Sequence, residues 1–169
     1  MAGPVKGAGR ITRLALLTAI ALTIFLAEAQ IPALTTVPGV KLGLANIVTV
    51  YIVFSMGPGD ALLVLSGRVF LGAVFSGQMM TLIYSAAGGF LSWCVLCLLR
   101  RLLTGEQIWL ASPVAAVFHN LGQLLAAAAV LRSWAVMAWL PYLIIAAILA
   151  GLFTGVAAQA LLRRLSGLS

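Results

Sequence analysis

The run from Leu110 to Val130 is long enough to cross a bilayer, yet it carries His119, Asn120 and Gln123 at its middle. A second apolar run, Ala61 to Phe75, carries Arg68 in its interior. Hydrocarbon penalises an Arg at a helix centre by roughly 2.5–3.5 kcal/mol on insertion scales. These side chains are therefore expected to face a protein interior or a wet cavity.

Composition fixes the solvent around the rest of the chain. It is 63% hydrophobic and 8% charged over 169 residues, with a mean hydropathy of +1.18. Soluble domains carry about 25% charged residues. Ten Lys and Arg and three Asp and Glu cannot cover a soluble surface, so most of this chain is expected to meet lipid. The net charge of +7 does not point to nucleic acid. Apart from Arg68, the cations sit at the ends of apolar runs, where membrane topology puts them.

The pattern predicts an all-α, multi-pass membrane protein with six transmembrane helices. A basic tail, 1–13, precedes a transmembrane domain over 14–164, and a short tail follows over 165–169. Span one runs from Leu14 to about Ile31 and is read as retained, since more spans follow it. Its Ala15 and Ala19 lie four apart on one face, and small residues at that spacing let another helix approach. Glu28 falls near its far end. Pro32 to Val40 is a loop by its breakers, long enough to fold over a site. Span two, about Lys41 to Met56, is somewhat short and carries Asn46. Asp60 follows a tight turn and is positioned to cap span three, Ala61 to about Phe75 or Gly77. Spans four, five and six are about Met80 to Leu99, Ile108 to Leu131 and Ala135 to Leu162.

Six spans leave both termini on one side. Lys6, Arg10, Arg13, Arg100, Arg101, Arg163 and Arg164 fall on that side, seven cations against two, Lys41 and Arg132. The positive-inside rule makes that side the cytoplasm, in the cell membrane.

Several chemistries lack their residues. No phosphate-binding G-x-x-x-x-G-K-[ST] loop is present. One His excludes an H-E-x-x-H zinc site. The three acids, all near predicted helix ends, cannot form the aspartate cluster that holds magnesium on a diphosphate. Cys94 and Cys97 have CxxC spacing, but with no further ligands they read as buried small hydrophobes. No catalytic residue, metal site or cofactor is expected.

The polar residues at depth carry the functional reading. His119 lies about 16 Å along span five, near the midplane, and Arg68 about 12 Å along span three. His119, Asn120 and Gln123 share a stripe by their spacing. Asn46 reaches a comparable or slightly outer depth from the opposite side. Either these residues form interhelical hydrogen bonds, at about 0.6 kcal/mol each, or they converge on a ligand. Arg68 favours a ligand: Asp60 and Glu28 are expected at opposite ends of the bundle, leaving no acid at its depth. An anionic ligand group would relieve that cost, and snorkelling is the competing account.

Lys41-Leu42-Gly43-Leu44-Ala45-Asn46-Ile47, the segment from Gly67-Arg68 to Phe75-Ser76-Gly77, and His119-Asn120-Leu121-Gly122-Gln123-Leu124 resemble the Gx transporter family. Its members often carry the label heptaprenyl diphosphate synthase component I. That family is similar in architecture to the substrate-binding S components of energy-coupling factor (ECF) transporters. The resemblance implies a six-helix bundle with a first loop that lids an outer pocket. It also implies alanines in helix one, matched by Ala15 and Ala19, that meet a transmembrane coupling subunit.

The expectation is thus a non-enzymatic membrane subunit that binds an amphiphilic or anionic small molecule through Arg68, His119, Asn120, Gln123 and Asn46. Its partners would be a coupling subunit, ATPase subunits and the lipid bilayer, with no nucleic acid. The alternative is a non-catalytic membrane subunit associated with polyprenyl diphosphate or quinone synthesis or with membrane electron transfer.

Overall fold

The computed structural model describes residues 7–30, 43–103 and 107–166. The elements are α1 (Ala8–Glu28), α2 (Asn46–Ser55), α3 (Pro58–Ser76), α4 (Met79–Leu102), α5 (Ile108–Leu131), a 3-10 helix (Trp134–Trp139) and α6 (Leu140–Ser166). The chain is all-α in its described residues. The expected lid, Pro32 to Val40, lies outside them, as do Lys6 and Lys41.

Five segments are long and apolar enough to cross a membrane: α1, α3, α4, α5, and the 3-10 helix together with α6. The sequence predicts six. The difference is α2, whose ten residues give about 15 Å of helix against a hydrocarbon core of about 30 Å.

The chain nevertheless returns across the bundle at α2. Nε of Arg10 donates to Oδ1 of Asp60 at 3.1 Å, so α1 and α3 start at the same end. Further along, a Cβ on Gly67 would sit 3.3 Å from Thr18, and one on Gly72 would sit 2.6 Å from the Phe25 ring. The two helices therefore run parallel, which requires the segment between them to come back. Of α2's ten residues, Asn46, Val48, Thr49, Val50, Ile52 and Val53 are buried. A helix surrounded by protein need not match the thickness of lipid.

The other helices alternate in direction. Nε1 of Trp93 donates to the carbonyl of Pro58 at 3.0 Å, which brings the later part of α4 to the Arg10 end. The amide of Trp109, in the first turn of α5, donates to Oε1 of Gln159 late in α6 at 3.1 Å. The start of α1 and the end of α6 thus share one end of the bundle, with Arg100, Arg101, Arg163 and Arg164.

Two boundaries differ from expectation. α1 begins at Ala8, inside the expected tail, and Oγ1 of Thr12 bonds back to the Ala8 carbonyl at 3.0 Å. α3 begins at Pro58, whose fixed φ suits the first helical position, and no side chain caps it. Asp60 therefore sits inside the first turn and pairs with Arg10 instead of capping. Cys94 and Cys97 are free thiols and only half-buried.

Half of the α5 span is buried against 17% of the α1 span, so α5 is the central helix and α1 a peripheral one. α6 packs close on α5, where a Cβ on Gly151 would fall 2.3 Å from the Cα of Pro113. The apolar core is split in two. One cluster, toward the Arg10 end, includes Val48, Val53, Val64, Leu96, Ala111, Ala115 and Ala158. The other, toward the opposite end, includes Tyr84, Leu124, Ala127, Val136 and Leu143. On α5 these clusters leave the segment from His119 to Gln123 between them.

Candidate functional site

Between the two apolar clusters lies a buried polar layer. Arg68, His119, Asn120 and Gln123 are each 2% exposed or less, and Asn46 is 4% exposed.

His119 and Gln123, one turn apart on α5, meet through their Nε2 atoms at 3.1 Å. With the Gln123 amide donating, His119 Nε2 accepts and Nδ1 carries the proton. Two glycines hold the imidazole. A Cβ on Gly43 would lie 2.8 Å from Cδ2, and one on Gly88 would lie 3.3 Å from Cε1 and 2.6 Å from the His119 carbonyl oxygen. Gly43 has φ of +81°, a conformation that side-chain-bearing residues rarely adopt. Both glycines are thus required for the ring to sit where it does.

Arg68 projects from α3. Its guanidinium carbon lies 5.9 Å from the centroid of the Phe25 ring, within cation–π range. The expectation that no acid shares its surroundings is overturned. Glu28 is buried, and its charge acts on Arg68. The reason is tertiary. The Glu28 carboxylate accepts the amide hydrogens of Gly43 at 2.6 Å and Leu44 at 3.0 Å. Those amides precede α2, whose positive end favours a carboxylate. The end of α1 is thereby drawn into the bundle.

Two other candidate residues, Asn120 and Asn46, are held by neighbouring helices. Asn120 reaches α6. Its Nδ2 donates across to the Leu143 carbonyl of α6 at 3.1 Å, because adjacent helical positions point about 100° apart. Asn46 Nδ2 donates to Ser92 Oγ at 3.3 Å. Ser92 is one turn closer to the Arg10 end than Gly88, which touches His119. The amide of Asn46 therefore lies within about a turn of the depth of His119, on its Arg10 side. The short α2 and the turn before it account for this.

Among the described residues, the buried side-chain atoms lacking a hydrogen-bond partner are Asn46 Oδ1, Arg68 Nε and Nη2, His119 Nδ1 and Asn120 Oδ1. All belong to candidate residues. An unsatisfied buried polar group costs about 1–3 kcal/mol, so this concentration asks for a compensating partner. The set offers a guanidinium edge as donor, two amide oxygens as acceptors and one imidazole nitrogen. Among the described residues, no group of three or more His, Cys, Asp or Glu is arranged to hold a metal.

Sequence reasoning did not assign Glu28, Gly43, Gly88 or Ser92 to this layer. Glu28 had a signal, as one of three acids in the chain and lying at the end of an apolar span. Ala15 and Ala19 are exposed on α1.

No curated protein and no solved structure has significant similarity to the chain. The family described as heptaprenyl diphosphate synthase component I matches residues 17–161, nearly the whole helical bundle. With its apolar helices, the chain is a membrane protein and belongs to the heptaprenyl diphosphate synthase component I family.

Proposed function

We propose that this protein is a membrane substrate-binding subunit, like an ECF S component, holding a small amphiphilic or anionic solute for transport. Arg68, His119, Asn120, Gln123 and Asn46 would line its site. The observation that carries this reading is the concentration of partnerless buried polar atoms on Asn46, Arg68, His119 and Asn120. Glu28 offsets the charge of Arg68 but spends its oxygens on backbone amides. A compact acceptor on the ligand, such as a carboxylate, would meet the free edge of Arg68. Donors on the same ligand would meet the amide oxygens. Lacking a nucleotide-binding loop, the chain would draw energy from separate ATPase subunits through a membrane coupling subunit.

Mass spectrometry of protein purified in mild detergent tests this. A retained small solute with an acceptor group, lost in Arg68→Met, is the expected result. A wild-type protein that retains no solute and shifts its melting temperature with none of a panel of small carboxylates would overturn it. The family's name supports a second reading, a non-catalytic membrane subunit of polyprenyl diphosphate synthesis. Co-purification separates the two: ATPase and coupling subunits go with the first, a soluble prenyl synthase with the second.

The transporter reading puts the Arg10 end in the cytoplasm, as the crowding of arginines there supports. Reporter fusions at both termini are expected to be active only in the cytoplasmic format. Activity outside would reverse the orientation.

Ala15 and Ala19 would contact the coupling subunit. Both are exposed while α1 is the least buried span, and their small size allows close helix approach. Replacing both with Leu should abolish co-purification of a coupling subunit and leave ligand retention and melting temperature nearly unchanged. Normal assembly with impaired retention would refute the assignment.

A further inference from the structure

At the Arg10 end a cleft of about 430 Å³ opens between the start of α3 and the last turns of α4. Pro58, Trp93, Cys97, Arg100 and Arg101 line it. We propose that this cleft binds the phosphoryl headgroup of an anionic lipid at the membrane–water boundary.

The charge is local and available. Arg100 and Arg101 are exposed and, among the described residues, form no ion pair. The nearby carboxylate of Asp60 is already matched by Arg10, so it does not compete. Two adjacent guanidinia offer paired N–H donors in the geometry that phosphate oxygens accept. Nη1 of Arg100 reaches to within 3.5 Å of where a Cβ on Gly57 would sit. The side chain therefore crosses to the start of α3 instead of bonding back to the carbonyls of its own helix end. There the positive end of the α3 dipole adds to the field.

The cleft also has an apolar continuation. Trp93 spends its N–H on the Pro58 carbonyl at 3.0 Å, which fixes the indole as the cleft wall. Its ring stacks on Phe90 with centroids 5.7 Å apart, and Phe90 is 56% exposed. Arg101, Cys97, Cys94 and Phe90 follow one another at helical spacings of four and three, so they share a face. A headgroup at the arginines would send its tail along that face toward the middle of the bilayer. An apolar wall leading from a cationic mouth fits a lipid better than a free anion.

Native mass spectrometry of the full chain from micelles holding equal phosphatidylglycerol and phosphatidylcholine reads the selectivity directly. The wild type is expected to retain phosphatidylglycerol preferentially. Each arginine is expected to contribute about fivefold, so Arg100→Gln with Arg101→Gln should lower selectivity about 25-fold. The same change at Arg163 and Arg164, on the same end but outside the cleft, should lower it clearly less. Arg101→Gln alone, with its fivefold effect, serves if the double variant does not fold. A second readout is maleimide labelling of Cys97 in a Cys94→Ser background, with inorganic pyrophosphate or phosphatidylglycerol added. Protection by phosphatidylglycerol alone assigns the site to lipid, and protection by both shows that the phosphoryl group suffices. Protection by neither overturns the site. So does wild-type selectivity in the Arg100 and Arg101 variant, or an equal loss in the Arg163 and Arg164 variant.

Discussion

Replacing Arg68 with Met is expected to weaken ligand binding by at least about a hundredfold and to destabilise the free protein by about 3 kcal/mol. The binding loss follows from the free Nε and Nη2, two donors whose charge-assisted bonds are worth about 1.5–3 kcal/mol each. The stability loss follows from Glu28. A guanidinium stays charged at any relevant pH. Removing it leaves a buried carboxylate without the positive charge that acts on it, and breaking such a pair on one side costs several kcal/mol. Arg68→Met combined with Glu28→Gln should therefore recover part of the stability while binding stays lost, because the single amide oxygen of Gln can still accept from one of the Gly43 and Leu44 amides, which now bond separate carboxylate oxygens. Arg68→Lys keeps the charge and loses the planar fork, so it should bind with intermediate affinity and melt near the wild type. Isothermal titration and thermal unfolding in detergent read both quantities. Undiminished binding in the double variant would show that Arg68 only stabilises the bundle. A single Arg68→Met that melts like the wild type would remove Glu28 as its electrostatic partner.

That cycle turns on a residue whose place the sequence misreads, and the reason is instructive. Position along a helix gives depth to within about a turn. It worked for α5, where Ile108 to Leu131 is helical from end to end, and it identified His119, Asn120, Gln123 and Arg68 as buried groups. Depth does not give direction or partner. Glu28 stands at a helix end, where carboxylates usually meet water, and two backbone amides before α2 turn it inward. Asn120 shares a sequence neighbourhood with His119, yet a neighbouring helix, α6, claims its amide. The length of α2 was illegible for a related reason. Hydropathy marks an apolar stretch, but whether protein or lipid surrounds it depends on which helices pack around it. The fold class was legible because composition leaves one solvent possible. The detail of the polar layer was not, because it is written in contacts between residues distant in sequence.

Gly88→Ala is expected to cost about 2–3 kcal/mol and most of the ligand affinity. The new Cβ would lie 2.6 Å from the His119 carbonyl oxygen and 2.7 Å from Gln123 Cγ. The first of these is backbone and cannot rotate away. From the other side, a Cβ on Gly122 would lie 2.8 Å from the Ala87 carbonyl oxygen and 2.9 Å from the Gly88 Cα. α4 and α5 are thus in backbone contact here, and relief requires moving one helix from the other. That motion carries His119 and Gln123 with it, which couples stability to binding. Gly89→Ala is the control. Its Cβ would meet Leu65 Cδ1 at 2.8 Å, the far end of a flexible side chain that can shift, so the cost should stay below about 1 kcal/mol. Gly59→Ala meets nothing within 4 Å and should stabilise slightly, by about 0.4–1 kcal/mol, through the unfolded chain. The ordering of melting temperatures, with Gly59→Ala highest, Gly89→Ala next and Gly88→Ala lowest, is the measurement. Equal effects at Gly88 and Gly89 would mean that α4 and α5 are not in backbone contact, and that the imidazole is held in place by something other than the glycine face.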